Sequence, residues 1–412
     1  MRKIGIISEF SMHTVNYGNN LQAYAMNRVI NKYFYGFTAE SIYFENYNVG
    51  SKIKQTAQMP NQFYHKLIHK LRRIPYRLTH CRKSLLKKRW DSFIMFAQEN
   101  ICMPETAMDW QALIESEYDA FIVGSDVVWA TLPGVVNRIK FLDFQNQKNA
   151  KKIAYAASFG NNEIPKENLD YIKSVLDDFI AISVREKSAV GLLSAIHVSN
   201  VVHVPDPTLL LARQEWEKIA YCPHGLIARN DKMFRVEKSR YLFAYLLDAD
   251  AGQKNAIELY AKKHGLNIVS IPYANEYWKA ADYWFGDVLA SDCSPGEWIW
   301  LIAHADLVVT DSFHGIVFST IFQRKFIAQR RHGDVGLNNR IEDYLESIDE
   351  RDKVCCNLAS INQMERMVWD YQQIEEKLEI FKRKGWDFLE KTYSCLCEGK
   401  SGKNIFCRRR EL

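Results

Sequence analysis

The sequence predicts an α/β protein made of two domains, each containing an open parallel sheet. With 412 residues, the chain is longer than one hydrophobic core usually serves. Short apolar runs recur along it, and each ends in a polar turn that is followed by residues with helical spacing. This alternation occurs before and again after an irregular stretch at residues 222–239. We therefore expect two Rossmann-like domains whose sheets bind ligands at their carboxyl edges.

The composition argues against several classes of protein. Apolar residues make up 47% and charged residues 25% of the chain, as in ordinary globular proteins. No apolar run approaches the roughly 20 residues that a membrane-spanning helix needs, and residues 4–7 are too short for a secretory signal. The net charge of +5 is mild and predicts no nucleic-acid partner. We expect a cytoplasmic protein.

The nine cysteines are scattered, and reduced thiols are expected in a cytoplasmic chain. Cys395, Cys397 and Cys407 together would supply only three metal ligands at an unusual spacing. We therefore predict no metal site.

The N-terminal domain opens with a strand, a loop and a helix. Residues 3–8 form an apolar run, and residues 19–33 place their apolar side chains largely on one helical face. The loop between them lacks a G-x-G-x-x-G sequence, so no dinucleotide is predicted. One interpretation makes residues 16–18 only a turn, with Asn19 capping the helix. The other makes this loop part of a substrate site, with Asn16, Gly18, Asn19 and Gln22 as the binding residues.

Residues 64–89 are strongly basic. They contain ten Lys or Arg residues and no acid, with leucines interleaved at roughly helical spacing. Such an amphipathic segment suits an anionic membrane surface or the phosphates of a substrate. A solvated helix face is the alternative. A further helix is predicted at residues 90–100.

Two further apolar strands end in polar tips. They are predicted at residues 118–123 and 152–158. The first runs directly into three candidate residues at the expected carboxyl edge of the sheet. Gly124 and Ser125 are candidates for substrate binding, and Asp126 is a candidate for catalysis.

The last two strands of this domain end in charged residues. Residues 180–184 lead to Arg185, whose planar guanidinium matches a carboxylate or a phosphate. A salt bridge within the sheet edge is the alternative for this arginine. Residues 201–204 lead to Asp206, which two flanking prolines hold in a defined turn. We expect Arg185 and Asp206 to be catalytic.

The alternating pattern resumes in a C-terminal domain. Residues 240–247 and 266–271 are predicted strands, with a helix at 252–264 between them. A long amphipathic helix beginning at residue 364 is expected to cross back to the first domain. The predicted divisions are residues 1–215 for the N-terminal domain, 216–239 for a linker, 240–363 for the C-terminal domain, and 364–412 for the final helix and basic tail.

The sequence Asp311-Ser312-Phe313-His314-Gly315 separates a short buried strand at residues 307–310 from a helix that opens at Ile316. A strand–turn–helix of this kind directs the first free N–H groups and the positive end of the helix dipole at a ligand. A phosphate or carboxylate is therefore expected beside His314. A buried histidine bonded to nearby backbone is the alternative. Asp311, Ser312, Gly315 and, at the end of a basic loop at residues 329–340, Arg340 are further binding candidates.

Several common catalytic motifs are missing from the sequence. It contains no glycine-rich P-loop, no H-E-x-x-H, no G-x-S-x-G and no dense carboxylate cluster. Kinase, protease, hydrolase and divalent-metal chemistry are correspondingly disfavoured. Anion binding with group transfer remains.

Seven short motifs cover roughly residues 1–345. They are NYGNNLQAYA (16–25), FIVGSDVVW (121–129), AASFG (156–160), ISVRE (182–186), VPDPTLLL (204–211), SPGEWIWLIAHADLVVTDSFHG (294–315) and NNRI (338–341). In this order and spacing they resemble the polysaccharide pyruvyl transferases. One departure is Val127, where many bacterial relatives carry Gln, and it leaves the contacts around Asp126 open.

The resemblance implies a fold similar to the GT-B glycosyltransferases, with two Rossmann-like domains facing a cleft. It implies transfer of pyruvate from phosphoenolpyruvate, as co-substrate without a cofactor, to two hydroxyls of one sugar as a ketal. The family's arginine and histidine correspond to Arg185 and His314. Such a reaction belongs to bacterial capsule or exopolysaccharide synthesis, with an acceptor on a lipid diphosphate at the cytoplasmic face of the membrane.

The residues of the candidate site suit that chemistry. We expect His314 to contact the phosphate and act as acid, and Arg185 to hold the carboxylate or phosphate. Asp126 or Asp206 would take a hydroxyl proton. A GT-B glycosyltransferase that uses a sugar nucleotide and a non-catalytic anion-binding or assembly protein are the two competing functions.

Overall fold

Two parallel six-stranded sheets form the framework of the protein. Helices lie between most pairs of consecutive strands, as the βαβ pattern of the sequence predicts. Among the described residues, no helix is both long enough and apolar enough to span a membrane. The computed structural model describes residues 1–12, 14–45, 80–229, 232–272, 282, 284–331, 335–355 and 365–397, with only the backbone at 80–86, 335–337 and 355.

The N-terminal sheet has the order β2-β1-β3-β4-β5-β6, and every neighbouring pair is parallel. This is the flavodoxin-like order with one additional strand, and its topological switch point lies between β1 and β3. Its strands are β1 (Arg2–Ile7), β2 (Phe37–Ile42), β3 (Ala120–Val123), β4 (Lys151–Ala157), β5 (Phe179–Val184) and β6 (Val201–His203).

The C-terminal sheet has the order β12-β11-β10-β7-β8-β9 and is also parallel. Counted within the sheet, this is the Rossmann order 3-2-1-4-5-6, with its switch point between β7 and β10. The two sheets confirm the predicted α/β fold class. The strands are β7 (Tyr241–Tyr245), β8 (Asn267–Ser270), β9 (Val288–Leu289), β10 (Leu307–Thr310), β11 (Phe326–Gln329) and β12 (Val354–Cys355).

Several helices begin where the local sequence supplies a side-chain cap. Asp250 with Gln253, and Ser294 with Glu297, form complete capping boxes at two of them. The helices are α1 (Tyr17–Tyr33), α2 (His80–Asn100), α3 (Trp110–Glu115), α4 (Leu169–Leu176), α5 (Lys187–Ala195), α6 (Arg213–Glu217), α7 (Ala251–His264), α8 (Pro295–His304), α9 (Phe313–Ile321), α10 (Val335–Ser347) and α11 (Tyr371–Cys397).

Three local predictions were wrong. Helix α1 begins at Tyr17, with Asn16 rather than Asn19 as its cap, and α9 begins at Phe313, with Ser312 as its cap. In both cases the polar residue after the loop or strand caps the helix directly, so the turn is shorter than expected. The predicted basic loop at residues 329–340 instead contains the end of β11 and the start of α10.

Helix α11 packs along both units. Near its start, Ile374 and Leu378 are buried. At its far end, the Arg2 guanidinium donates to the carbonyl of Leu396 over 2.7 Å, and the Tyr393 hydroxyl donates to the carbonyl of Tyr35. The long helix predicted to begin at residue 364 begins at Tyr371 and extends to Cys397. Its charged face, like that of most amphipathic helices, does not mark its ends.

Cys395 and Cys397 lie on α11 as free thiols. Within the described part of the chain, no group of three His, Cys, Asp or Glu side chains is placed to bind a metal. Cys407 lies outside the described residues.

The two units share a packed interface around Tyr17. Its hydroxyl donates to the carbonyl of Cys293 over 2.7 Å, and its ring stacks on Trp298 at 5.2 Å between centroids. The Arg89 guanidinium lies over the Tyr17 ring, 5.2 Å from the ring centre, and donates to the carbonyl of Pro272.

Arg89 corrects one prediction about the basic segment. Its side chain is only 2% exposed, so it belongs to the interface between the units and not to a membrane-facing surface. Lys87 and Lys88 are exposed. Residues 64–79 lie outside the described residues, and the side chains of 80–86 are not described.

Candidate active site

The switch point of the N-terminal sheet is bridged by Gln22 of α1. Its amide nitrogen donates to Ser8 Oγ over 2.9 Å, and its amide oxygen accepts from the backbone N–H of Ser125 over 3.1 Å. Ser8 follows β1 and Ser125 follows β3, so this one buried side chain connects both strand ends. Gln22 was predicted to bind substrate, but its hydrogen bonds support the loops that carry the site.

Asp206 is the most enclosed carboxylate of the cluster. Ser125 Oγ donates to Oδ2 over 2.8 Å, and Thr208 donates to Oδ1 through its backbone N–H and its hydroxyl. Burial would raise the pKa of Asp206, but the charges of His314 and Arg185 and the Thr208 hydrogen bonds outweigh burial and hold that pKa well below its usual value. Asp206 is therefore a carboxylate at any working pH.

Arg185 is surrounded by three carboxylates. Its Nε donates to Glu186 over 3.1 Å, Nη1 to Asp206 over 3.3 Å, and Nη2 to Asp126 over 3.2 Å. The guanidinium also lies 4.2 Å above the ring centre of Phe313, which comes from the other unit. The alternative prediction for Arg185, a salt bridge at the sheet edge, therefore also applies. The three carboxylates hold its guanidinium group in one orientation.

Arg340 approaches the same place from α10 of the C-terminal unit. Its Nη1 donates to Asp126 Oδ1 over 3.1 Å, so one carboxylate oxygen accepts from two guanidinium groups. Burial alone would raise the pKa of Asp126, but the charges of Arg185 and Arg340 hold it below its usual value. Burial and the neighbouring Arg185 lower the pKa of Arg340 to about 10.

His314 lies in the first turn of α9, which Ser312 caps. Its Nε2 is 3.6 Å from Asp206 Oδ2, and the side chain is 6% exposed. On the opposite side the ring packs on Gly18, where an added Cβ would lie 2.1 Å from His314 Nδ1. Glycine is therefore required at position 18 for the histidine to occupy its place. The close approach of His314 explains the glycine of the N-Y-G sequence at residues 16–18, which a simple turn would not require.

Asp311 supports the backbone across the second switch point. It accepts from the N–H groups of Leu247 and Asp248 over 2.8 and 2.7 Å, which joins the ends of β10 and β7. Burial raises the pKa of Asp311 even though Arg331 and these two N–H groups act in the opposite direction. Its carboxylate is thus occupied by the protein.

The remaining binding candidates shape the loops. Asn16 Oδ1 accepts from the N–H of Asn19, whose side-chain nitrogen donates to the carbonyl of Glu9. Gly124 has a φ of +123°, and a Cβ there would lie 2.0 Å from the carbonyl oxygen of Tyr155. At Gly315 a Cβ would collide with the side chain of Thr310.

The structure thus divides the predicted residues into two groups. One group forms a buried cluster from both units: Asp126, Arg185 and Asp206 with Ser125 from the N-terminal unit, and His314 and Arg340 from the C-terminal unit. The other group positions backbone or packs against the cluster: Asn16, Gly18, Asn19, Gln22, Gly124, Asp311, Ser312 and Gly315.

Glu186 and Phe313 were not predicted, although both contact Arg185. The sequence signal that could have identified them is that each is adjacent in the chain to a selected residue: Glu186 follows Arg185, and Phe313 precedes His314. Val127, the departure from the expected pattern, is half-buried, and its Cγ1 lies 2.5 Å from where a Cβ on Gly160 would be.

Within the described part of the chain, three buried atoms in or beside the cluster have no hydrogen-bond partner: His314 Nε2, Glu186 Oε2 and Arg340 Nε. Such atoms are rare in folded proteins and call for an explanation in each case. Here they come from both units and lie around the same ion pairs. The arrangement suits a polar, charged ligand. Because the carboxyl edges of the two sheets face each other across this cluster, the architecture is GT-B-like.

A comparison with protein-family models gives a match over most of the chain. The model described as polysaccharide pyruvyl transferase covers residues 16–330. The chain belongs to the polysaccharide pyruvyl transferase family. This confirms the resemblance that the seven motifs suggested, and it makes the protein a member of a transferase family. The match contains every member of the cluster except Arg340.

Two solved structures align with this pyruvyl transferase family member at low identity. UDP-N-acetylglucosamine 2-epimerase from Rickettsia bellii is 9% identical, with a TM-score of 0.47 and coverage of 96% of this chain and 98% of its own. The E. coli heptosyltransferase WaaC with ADP is 12% identical, with a TM-score of 0.35 and coverage of 93% and 99%. No curated protein matches the sequence. The fold assignment rests on the two sheets described above.

Proposed function

We propose that this protein transfers pyruvate from phosphoenolpyruvate to two hydroxyl groups of one sugar, forming a cyclic ketal and releasing phosphate. The observation that carries the proposal is the position of His314, 3.6 Å from Asp206 and inside a buried cluster that also contains Arg185 and Arg340. A proton-transfer group and two guanidinium groups in one site suit a small, highly charged donor.

The donor would be held by the two arginines. Arg185 has five N–H donors, and three of its nitrogens each bond one carboxylate. At least one N–H on each Nη therefore remains for a carboxylate or phosphate oxygen. Arg340 Nε is also buried and without a partner. The first turn of α9, with its N–H groups and the positive end of its dipole, lies beside them.

His314 would carry the proton transfers. Protonated His314 gives its proton to C3 of phosphoenolpyruvate, and the first sugar hydroxyl adds to C2 while its proton returns to the now neutral imidazole. The C2–O bond to phosphate then breaks, with the electron pair leaving on phosphate. The second hydroxyl closes the ring at C2 and gives its proton to the departing phosphate.

The two aspartates fit orientation better than proton transfer. Asp206 and Asp126 both have a lowered pKa, so neither holds a proton near neutral pH, and both are weak bases. We therefore assign the hydroxyl proton to His314 in place of either aspartate. Asp206 stabilises the imidazolium form, and Asp126 joins the arginines of the two units.

The turn between the first strand of the C-terminal sheet, β7, and the helix that follows it disfavours a sugar nucleotide as donor. In Rossmann units a nucleotide pyrophosphate binds where the first strand meets its helix. Here the N–H groups of Leu247 and Asp248 donate to Asp311, and the Asp250 carboxylate caps α7. The Asp311 and Asp250 carboxylates occupy the place where a diphosphate would bind, and their negative charge would repel it.

The acceptor would be a saccharide of a bacterial capsule or exopolysaccharide, built on a lipid diphosphate at the cytoplasmic face of the membrane. Residues 64–88, with the nine basic side chains that remain when the buried Arg89 is left out, would supply peripheral contact with that anionic surface. The reaction as written needs no metal or other cofactor, because the acid, the anion site and the leaving group are all provided by side chains and substrate.

The function is tested by incubating the protein with phosphoenolpyruvate and candidate saccharides. We expect phosphate release together with a pyruvyl mass increment on the saccharide. In D2O the ketal methyl should carry a single deuterium, because the proton delivered to C3 comes from an exchangeable group. Turnover of a sugar nucleotide without any use of phosphoenolpyruvate would overturn the proposal.

A further inference from the structure

The first turn of α5 is capped by a side chain of the other unit. Glu186 is the residue before this helix, but its carboxylate bonds to Arg185 and not to the N–H groups of the first turn. The N–H group of Ser188 donates instead to Asp343 Oδ2 of α10 over 3.2 Å. The Ser188 hydroxyl donates to the same oxygen over 3.0 Å. Asp343 therefore satisfies a helix N–H that has no acceptor within α5, and its charge suits the positive end of the helix dipole.

Helix α10 connects Asp343 to the candidate active site. Arg340 and Asp343 are three residues apart on this helix, so their side chains lie on the same face. Arg340 donates to Asp126 over 3.1 Å, and Asp343 accepts from Ser188. Both contacts cross from the C-terminal unit to the N-terminal unit. Because a helix moves as a rigid element, the contact of Asp343 with α5 also sets where Arg340 lies.

The other contacts of α10 are within its own unit. The Tyr344 hydroxyl lies 2.5 Å from the Thr320 hydroxyl of α9, and its ring packs against Phe313 at 5.7 Å between centroids. These contacts hold α10 to α9 but not to the N-terminal unit. A shift of α10 away from α5 would withdraw Arg340 from the cluster, whereas Arg185 would stay with the three carboxylates that surround it.

A second ion pair between α5 and α10 provides a comparison. Lys187 Nζ lies 3.5 Å from Glu346 Oε1, and the two side chains are 70% and 48% exposed. Solvent screens an exposed pair of this kind, so it adds little to the attachment of the helices. The contact of Asp343 with Ser188 is half-buried and contains two hydrogen bonds to one charged oxygen. Of the two contacts, it is the one that can fix α10 against α5.

We propose that Asp343 is a positioning residue that caps α5 across the interface and thereby holds Arg340 in the donor site. It acts through Arg340 and touches no substrate. The inference deepens the proposed function and rests on it for its kinetic part. The attachment of α10 to α5 is a property of the free protein and does not depend on any substrate.

The kinetic test compares three single variants. Asp343→Ala removes the acceptor, Asp343→Asn keeps an acceptor oxygen for Ser188, and Glu346→Gln changes the exposed pair on the same helix. Alanine should raise KM for phosphoenolpyruvate about fivefold, with a smaller effect on kcat. Asparagine should recover most of that loss, and Glu346→Gln should leave KM unchanged. A wild-type KM in Asp343→Ala would overturn the proposal.

A double variant tests whether Asp343 acts through Arg340. In an Arg340→Lys background, Asp343→Ala should add little to the rise in KM, because the guanidinium that Asp343 positions is already absent. A merely structural role would raise KM by the same factor in both backgrounds. Equal factors would therefore overturn the proposal.

Hydrogen exchange tests the contact without substrate. The Ser188 N–H is bonded to Asp343, so Asp343→Ala should speed exchange in a peptide that contains residues 187–195. Asp343→Asn and Glu346→Gln should exchange at nearly the wild-type rate. Unchanged exchange in Asp343→Ala would overturn the proposal even if the enzyme uses phosphoenolpyruvate. Failure of the wild type to bind phosphoenolpyruvate would instead refute the proposed function, and the exchange rates would still decide whether Asp343 caps α5.

Discussion

His314 Nε2 and Asp206 Oδ2 lie 3.6 Å apart, although the histidine follows the fourth strand of one sheet and the aspartate follows the last strand of the other. The contact exists only when the two units are packed together. Because Asp206 is held by Ser125, Thr208 and Arg185, its negative charge has a defined position under the imidazole. The proton transfer proposed for His314 would therefore depend on the packing of the two units against each other.

Substitution of His314 by Gln should lower kcat by about 10² to 10⁴, the usual contribution of a general acid–base group. Asp206→Asn should also lower kcat, because the imidazolium loses its counter-charge, and it should affect KM less. Steady-state rates of phosphate release measure both effects. A Gln variant with near wild-type turnover would exclude His314 as the proton-transfer group.

Gly18→Ala should reduce activity without unfolding the protein. The new Cβ would lie 2.1 Å from His314 Nδ1, so the ring cannot keep its present position relative to Asp206. Gly191→Ala is the matched control because nothing lies within 4 Å of its added Cβ, and a helical position gains up to about 1 kcal/mol from alanine. Thermal unfolding and turnover should be measured for both variants. Equal activity of Gly18→Ala and Gly191→Ala would contradict the close approach of Gly18 to His314.

Arg340→Lys should raise KM for phosphoenolpyruvate more than it lowers kcat. Lysine keeps the positive charge but lacks the planar fork that reaches Asp126 Oδ1 over 3.1 Å. A rise of about tenfold is expected from the loss of one charge-assisted hydrogen bond. Calorimetric titration with phosphoenolpyruvate measures the change. Unchanged affinity would show that Arg340 serves only the contact between the units.

Asp206 should make the folded state sensitive to acid. Its folded pKa lies below the usual value of 3.8, so its stabilising contribution is complete above that value. The contribution is lost as the pH falls from about 4 through the folded pKa. In Asp206→Asn the free energy of unfolding should be lower at neutral pH and should fall less in that acid range. Urea unfolding at several pH values is the measurement, with exposed Asp91→Asn as the control.

Charge reversal in the basic segment should separate an effect on membrane binding from an effect on the stability of the fold. Lys87→Glu with Lys88→Glu changes two exposed side chains and should weaken binding to anionic liposomes without loss of stability. Arg89→Glu should destabilise the fold, because its side chain is buried and bonds to the carbonyl of Pro272. Liposome sedimentation measures the effect on membrane binding, and thermal unfolding measures the effect on stability. Unchanged sedimentation of the lysine variants would count against peripheral membrane contact.

Much of the fold could be predicted from local patterns. The runs that became β1, β5, β7 and β10 are apolar on both sides, as strands covered by helices must be, and each is followed by a polar turn. β2 was missed because FTAESI mixes polar with apolar residues. The strands β9 and β12 have two residues each, which is too short for any periodicity.

The sequence by itself determined the family, the two-sheet class and the identity of the charged residues at the strand ends, because these depend on residue type and order along the chain. Only the tertiary structure decided which of them meet. Asp311 and Gln22 turned out to bind backbone, whereas Arg340 joined Asp126 from 214 residues away. The reason is physical: the protonation and role of a buried charge depend on its neighbours in space, and here those neighbours come from both sheets.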